Sequence, residues 1–350
     1  MIYLRLALYP FSFLYGMILR LRNYFYSVGV FRSRKFDLPV ICIGNLALGG
    51  AGKSPMAEYL IRLLGGDYRV AVLSRGYGRR TKGFRLVSEG DTAADSGDEP
   101  LQFKKKFPAL TVAVCEKRVT GIEKLREEHD LVILDDAYQH RAVDAGLKLL
   151  LFDYTRLNEP LVVLPAGNLR EPFAGRARAD AIILTKTETD LSDSERDRAI
   201  KRVKPLDGQL VLFSYLKYGR LTPLFEGESV ELADLKRNTR VYLLTGIANP
   251  EPLRRKITSS GFVVKHYDYP DHHPFSPKNI SKLAEDFRQD EALDKIIVTT
   301  EKDIQRLMTE GLREVLEYLP VFYLPVEAEF HQSDKERFDL LIKDYVSKYL

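Results

Sequence analysis

Twelve residues constrain this chain more than any others: Gly44-Asn45-Leu46-Ala47-Leu48-Gly49-Gly50-Ala51-Gly52-Lys53-Ser54-Pro55. The apolar run Leu38-Pro39-Val40-Ile41-Cys42-Ile43 precedes them and reads as a buried strand. The stretch from Met56 to Leu64 follows, with apolar residues at helical spacing. A strand, a glycine-rich loop, Lys-Ser and a helix in that order form the context of a phosphate-binding loop. Glycines let consecutive backbone N–H groups turn inward around phosphate oxygens, and the helix start adds unpaired N–H groups and the positive end of its dipole. Lys53 brings a full positive charge to the outer phosphates, and Ser54 offers a hydroxyl to Mg²⁺. The nucleotide would lie along Gly49, Gly50, Ala51, Gly52, Lys53 and Ser54. One departure is Ala47, which stands where the usual pattern has its first glycine.

The chain is long enough for two domains, at 350 residues and 45% hydrophobic. Its net charge of +4 is too small to argue for a nucleic-acid partner. Cys42 and Cys115, its two cysteines, both lie in apolar runs. They read as small buried hydrophobes of a reducing compartment, since a disulfide framework or a zinc site needs more.

The first 31 residues stand apart. Leu6 to Leu19 are 14 uncharged residues between Arg5 and Arg20, and Phe11, Phe13, Leu14, Tyr15 and Ile18 are among them. As a helix they span about 21 Å, short of the ~30 Å hydrocarbon core of a bilayer, and Pro10 is expected to break or kink it. Arg22, Arg32, Arg34 and Lys35 follow, and no acidic residue appears before Asp37. Aromatics and arginines beside a short apolar helix suit the interface of an anionic membrane. Packing into a core, or crossing the bilayer as a single anchor, are the competing arrangements. A secretory signal is disfavoured because arginines occupy the place of a cleavage site.

From Leu38 to about Ser214, apolar strands alternate with helical stretches. The expected strands are 40–43, 70–73, 110–114, 131–134, 147–152, 181–184 and 210–213. Continuously apolar strands belong to a parallel sheet covered on both faces, hence an α/β fold with ligands at the carboxyl ends of its strands. Residues 216–239 read as a connector. A smaller α/β unit over 240–350 would use strands at 241–244, 262–266, 296–299 and 321–324, with a closing helix over 334–350.

The polar residues ending these strands are the candidates for chemistry. Leu131-Val132-Ile133-Leu134 ends in Asp135-Asp136, the place where a phosphate-loop protein keeps its Mg²⁺-holding acid. Gln139 and His140 continue the same rim. Asp98 and Glu99, before Pro100, could supply a base for a hydroxyl or a further metal contact, although a solvated acidic turn explains them as well. Arg75, Arg118 and the Arg170-Glu171 pair follow other strands and suit an anionic substrate or plain solvation. In the second unit, Asp271-His272-His273 could serve acid–base work, and Thr300 could cap a helix. A nucleotide-gated GTPase that transfers no phosphate is the rival reading. Its base-reading segment would be Thr185-Lys186-Thr187-Glu188, a faint match.

Seven segments together resemble one family, the tetraacyldisaccharide 4′-kinases of lipid A biosynthesis. They are Gly-Asn-Leu…Gly-Gly-Ala-Gly-Lys-Ser-Pro at 44–55, Leu-Ser-Arg-Gly-Tyr-Gly at 73–78, Gly-Asp-Glu-Pro at 97–100 and Leu-Asp-Asp-Ala-Tyr-Gln-His at 134–140. Leu-Pro-Ala-Gly-Asn-Leu-Arg-Glu-Pro at 164–172, Pro-Asp-His-His at 270–273 and Thr-Glu-Lys-Asp at 300–303 complete the set. The resemblance implies two α/β/α domains joined by a two-stranded linker. It implies transfer of the γ-phosphoryl group of ATP, with Mg²⁺, to the 4′-hydroxyl of an acylated glucosamine disaccharide 1-phosphate. That chemistry would take place at the cytoplasmic face of the bacterial inner membrane. It further implies Asp98 as base assisted by His272, and Ser54, Asp135, Asp136 and Glu99 around the metal. Arg75 (at the strand-end rim), Arg118, Gln139, His140, Arg170 and Glu171 would stand around phosphates and substrate. The family commonly has Thr at the position of Ser54 and Gly-Phe at 137–138, where this chain has Ala-Tyr. Local geometry after the paired acids is therefore the point for the structure to decide.

Overall fold

The computed structural model describes residues 7–349; Arg5 and Leu6, at the start of the apolar run, and Leu350, at the end of the expected last helix, lie outside them. Fourteen strands are assigned among the described residues: β1 Val40–Asn45, β2 Val70–Ser74, β3 Arg85–Leu86, β4 Thr111–Val114, β5 Leu131–Leu134, β6 Leu147–Asp153 and β7 Ala181–Thr187 come first. They continue as β8 Leu210–Tyr218, β9 Thr222–Pro223, β10 Arg240–Thr245, β11 Val263–Asp268, β12 Lys295–Thr300, β13 Val321–Leu324 and β14 Val326–Phe330. Among the described residues, the α-helices longer than four residues are α1 Tyr9–Ser27, α2 Lys53–Leu64, α3 Asp98–Lys106, α4 Arg118–Leu125 and α5 Asp193–Val203. They end with α6 Glu251–Ser259, α7 Pro277–Gln289, α8 Glu301–Leu307 and α9 Gln332–Ser347.

A nine-stranded sheet runs in the order β14-β8-β7-β6-β1-β5-β2-β4-β3, with seven parallel strands between antiparallel edges β14 and β3. Strand β1 is central, with β5 on one side and β6 on the other. The chain winds outward from β1 first one way and then the other, so a crevice opens at its carboxyl end, where the glycine-rich loop begins. All six residues of β1 are buried, because helices cover both faces. One face packs Ile41 and Ile43 against Met56, Leu60 and Leu64 of α2 and against Phe338 and Ile342 of α9. The other packs Cys42 with Leu134, Ile122 of α4 and Val203 of α5.

A second sheet, β11-β10-β12-β13-β9, has its own two apolar layers. After β13 the chain returns to the first sheet. Ala328 and Phe330 of β14 turn inward beside β8, and α9 packs behind them. The pattern Val-Glu-Ala-Glu-Phe at 326–330 is an edge strand with one dry face, too short to stand out in the sequence. Strand β8 also runs to Tyr218, five residues beyond its expected end, because β14 pairs with Ser214 to Tyr218.

The interruption expected of Pro10 falls at Leu8, a turn between helical Ala7 and the start of α1 at Tyr9. That proline sits in the first turn of α1, where its missing N–H is no loss, and from Tyr9 the helix runs for 19 residues. Its docking face is made of its smallest side chains. Ser12 and Gly16 are the buried residues of α1, Ser12 Oγ accepts a hydrogen bond from Ala166 N at 2.8 Å, and a Cβ at Gly16 would press to 3.3 Å from Val163 Cγ2. Phe11, Phe13, Leu14, Met17, Ile18, Leu21 and Tyr24 face outward. A helix packed in water does the reverse. Among the described residues no helix is long and apolar enough to cross a membrane.

Candidate active site

The loop after β1 needs backbone angles that only glycine adopts freely. Gly49 and Gly52 have φ of +99° and +79°, and Gly52 caps α2 in the left-handed region. Ala47 needs no such freedom; it forms a bridge to Leu169 instead. Thr185 donates its hydroxyl hydrogen bond to Ala51 O at 2.9 Å, tying the loop to β7. Lys53 is buried at the start of α2. Its Nζ donates to Asn45 Oδ1 at 3.3 Å and lies 3.6 Å from Asp136 Oδ1. Ser54 is half-buried beside it.

Strand β5 delivers the paired acids into different surroundings. Asp136 has φ of +45°, so the left-handed residue of this turn is the acid and not Ala137, which settles the doubt about the missing glycine. Arg170 Nη1 binds its carboxylate at 2.9 and 3.1 Å. Burial pushes that carboxyl up, but the charges of Lys53 and Arg170 prevail and hold it below its ordinary range. Asp135 is 1% exposed, and Ser74 Oγ lies 3.4 Å from its Oδ2 while Oδ1 has no hydrogen-bond partner. Burial first, then the charges of Glu99 and Asp136, push its carboxyl up to about 7 against the pull of Lys53 and Arg118. A buried carboxylate short of positive charge stands within reach of the Lys53 charge.

Helix α3 points its first residue, Asp98, at the second sheet. His272 Nδ1 is 3.0 Å from Asp98 Oδ2, across 174 residues of sequence. Arg306 Nε lies 3.3 Å from the same oxygen. Burial pushes the Asp98 carboxyl up, but the His272 hydrogen bond and the Arg306 charge more than reverse it, leaving a carboxylate. Lys302 Nζ reaches Glu99 Oε1 at 3.2 Å, His272 Nε2 at 3.2 Å and Asp271 Oδ1 at 3.4 Å. His272 holds φ of +57° while its backbone N–H donates to Gly246 O at 3.0 Å, and Tyr77 lays its ring 4.9 Å from the imidazole. His273 turns away, bonding Asn279 and stacking on Tyr269.

The other sequence candidates divide. Arg170 bonds Asp136, and Arg118 is buried with its Nη1 on Cys115 O at 2.8 Å, its charge close enough to bear on both acids. Gln139 Nε2 donates to Asn45 O at 2.7 Å and so braces the loop. His140 is pushed down to about 4 by burial and then by the charges of Arg118, Arg22 and Arg75, so its ring is neutral at physiological pH. Arg75 is exposed at the rim. Glu171 does not face the crevice: it is 1% exposed and held by Arg178 at 2.6 Å. Sequence reasoning passed over Asn45, Tyr77, Lys302 and Arg306. Asn45 carried a signal as the polar end of an apolar strand. Lys302 and Arg306 sit on one helical face after β12, where a sequence pattern alone gives a solvated helix.

The family model described as tetraacyldisaccharide-1-P 4′-kinase matches residues 4–346. The chain is similar to the tetraacyldisaccharide 4′-kinase of Phocaeicola vulgatus, 40% identical over 347 residues that cover 97% of this chain and 95% of the relative. It is 42% identical to that of Porphyromonas gingivalis over 339 residues, 94% of this chain and 93% of the relative. Among solved structures, the enzyme of this name from Aquifex aeolicus, LpxK, crystallised in an "apo" form in complex with ATP, superposes with a TM-score of 0.74. That match is 31% identical and covers 98% of this chain and 99% of the other.

Proposed function

Because the chain belongs to the tetraacyldisaccharide-1-P 4′-kinase family, we propose that it carries the γ-phosphoryl group of ATP to the 4′-hydroxyl of an acylated glucosamine disaccharide 1-phosphate at a membrane surface. The contact between Asp98 and His272 carries this reading. A sugar hydroxyl is a poor nucleophile at neutral pH and needs a base, and a GTPase that only senses nucleotide has no use for one. The rival's base-reading Lys186 is also occupied, by Asp153 at 2.8 Å.

Mg²⁺ fits the residues present. The partnerless Oδ1 of Asp135, the acids Asp136 and Glu99 around it and the hydroxyl of Ser54 are hard oxygen donors with a surplus of negative charge. Among the described residues no three His, Cys, Asp or Glu side chains close on one point, which suits an ion that takes one or two carboxylates and fills its shell from phosphate and water. When bound, it would neutralise charge on the β- and γ-phosphates.

The chain's own groups do the rest. Backbone N–H groups from Gly49 to Ser54 and the start of α2 cradle the phosphates, and Lys53 releases Asp136 to meet the γ-phosphate. Asp98 takes the proton of the 4′-hydroxyl as the oxygen bonds to phosphorus and the bond to the ADP oxygen breaks. Arg170 and Arg118 offset the crowding of negative charge at the rim. The first sheet with its covering helices, roughly 32–215, would hold the donor. The second unit, beyond the connector at 216–239, would bring His272 and exclude water. The outward apolar face of α1, within residues 1–31, would lie in the interface of the membrane on its cytoplasmic side, where ATP is available. The experiment is direct: full-length protein, ATP, Mg²⁺ and the acylated disaccharide 1-phosphate in mixed micelles should give a 4′-phosphorylated lipid. ATP consumption with no phosphorylated lipid overturns the reading.

A further inference from the structure

We infer that Lys302 is a positioning residue that decides which nitrogen of His272 carries the proton, and through it which oxygen of Asp98 meets the acceptor hydroxyl. The inference rests on the reading of Asp98 as base. Lys302 Nζ has three neighbours at hydrogen-bond distance, Glu99 Oε1 at 3.2 Å, His272 Nε2 at 3.2 Å and Asp271 Oδ1 at 3.4 Å. An ammonium group has three N–H donors and no lone pair, so the three contacts use it fully. Two carboxylates at that range keep it an ammonium. Nε2 must therefore present its lone pair, and the single proton of the neutral ring sits on Nδ1. There it points to Asp98 Oδ2 at 3.0 Å. The opposite tautomer would aim an N–H at an ammonium and a lone pair at a carboxylate. Asp271 does not rescue it, since its Oδ2 is 3.8 Å from Nε2.

Two consequences follow for the reaction. The His272 Nδ1–H and the Arg306 guanidinium both lie against Oδ2, so the donors gather on one edge of Asp98 and Oδ1 is the oxygen left for the hydroxyl. His272 also cannot relay the proton onward, because its one lone pair is taken by Lys302 and its other nitrogen already carries hydrogen. The proton removed from the sugar stays on Asp98 until product leaves. Tyr77 against the ring and the left-handed backbone of His272 keep the imidazole in this plane.

The test is ¹⁵N NMR of the full-length chain labelled in its histidine rings, with His272 assigned from the spectrum of His272→Gln. Wild type should show Nδ1 protonated and Nε2 bare at pH 7.5. Lys302→Arg, which also only donates, should keep that pattern and most of the activity. Lys302→Met should shift His272 toward the Nε2-protonated form and lower kcat about a hundredfold, with KM for ATP within about twofold. An Nε2-protonated wild type overturns the inference with no variant needed, and so does an unchanged tautomer in Lys302→Met. If wild type shows the expected tautomer but transfers no phosphate to lipid, the functional reading fails while the arrangement of the pair stands.

Discussion

Lys106 ends the helix that Asp98 begins, and it is the charge through which α3 grips both neighbours. Its Nζ lies 2.8 Å from Glu58 Oε2 on α2, which carries Lys53, and 2.8 Å from Glu301 Oε1 on α8, which carries Lys302. Lys106→Met keeps the apolar stem and deletes the charge. Glu58 is 1% exposed and then keeps only Gln102 Nε2 at 2.9 Å and Arg62 Nη1 at 3.8 Å. Removing one partner of a buried pair costs roughly 3–5 kcal/mol. Those two contacts, and a lysine side chain that is itself 22% exposed, put the loss near the low end, about 3 kcal/mol. An unfolding entropy of about 2.1 cal/mol/K per residue over 350 residues gives roughly 0.7 kcal/mol per degree, so the thermal midpoint should fall by about 4 °C.

The pH dependence separates charge from packing. Burial pushes the Glu58 carboxyl up against the pull of Lys106, so it already sits above its ordinary value in the fold. A carboxyl raised by folding favours the fold while protonated and loses that contribution as pH climbs from the unfolded toward the folded value. Deleting Lys106 removes that pull and raises it further. The penalty should therefore be largest at pH 8 and shrink to less than about 2 °C at pH 5, where the Glu58 carboxylate recovers a proton. Calorimetric melts of wild type and variant at both pH values decide the matter. An equal drop at pH 5 and pH 8 would mean that the stem packs and the charge is idle, and the account of α3 as a charge clasp would be wrong.

Three further outcomes are expected. Asp98→Asn should lower kcat by about a thousandfold or more while ATP affinity by calorimetry moves less than threefold; matched losses would make Asp98 a nucleotide ligand. Phe13→Ser with Ile18→Ser, both on the outward face of α1, should weaken binding to anionic vesicles at least about a hundredfold without moving the thermal midpoint, and undiminished sedimentation with vesicles would place the membrane contact elsewhere. Gly44→Ala should cost about 1–3 kcal/mol and weaken ATP binding, because its Cβ would stand 2.5 Å from Tyr138 Cβ and 3.0 Å from Tyr138 N, in the turn that follows the paired acids; an unchanged midpoint and affinity would show that this turn yields freely.

The parallel sheet and the donor half of the site were legible because their determinants are local. Buried parallel strands announce themselves as apolar runs, and Gly49 to Ser54 is one continuous device whose parts work together by adjacency. What escaped depends on long-range pairing. Strand β14 is a strand only because β8 lies beside it, and Ala328 and Phe330 have meaning only against α9. Where a helix restarts around Pro10, at Tyr9, is a choice that a run of apolar residues leaves open. Lys302 and Arg306 looked like the wet face of a helix. Only the arrival of Asp98 and Glu99 from 203 residues away in the case of Lys302 and Glu99 turns that face into a site.

Strain marks the same division. Asp136 and His272 are two of the four non-glycine residues with positive φ among those described, and they belong to different sheets. A left-handed backbone at an ordinary residue costs on the order of 1 kcal/mol and persists only where the surroundings over-determine it. At Asp136 the surroundings are Lys53 and Arg170; at His272 they are Gly246, Lys302, Tyr77 and Asp98. One strained acid faces the glycine-rich loop and one strained imidazole faces Asp98, each held by charged or hydrogen-bonding partners from distant sequence. The stability spent there is spent where phosphate donor and hydroxyl acceptor would have to meet, and on groups whose orientation decides whether the proton and the phosphoryl group move together.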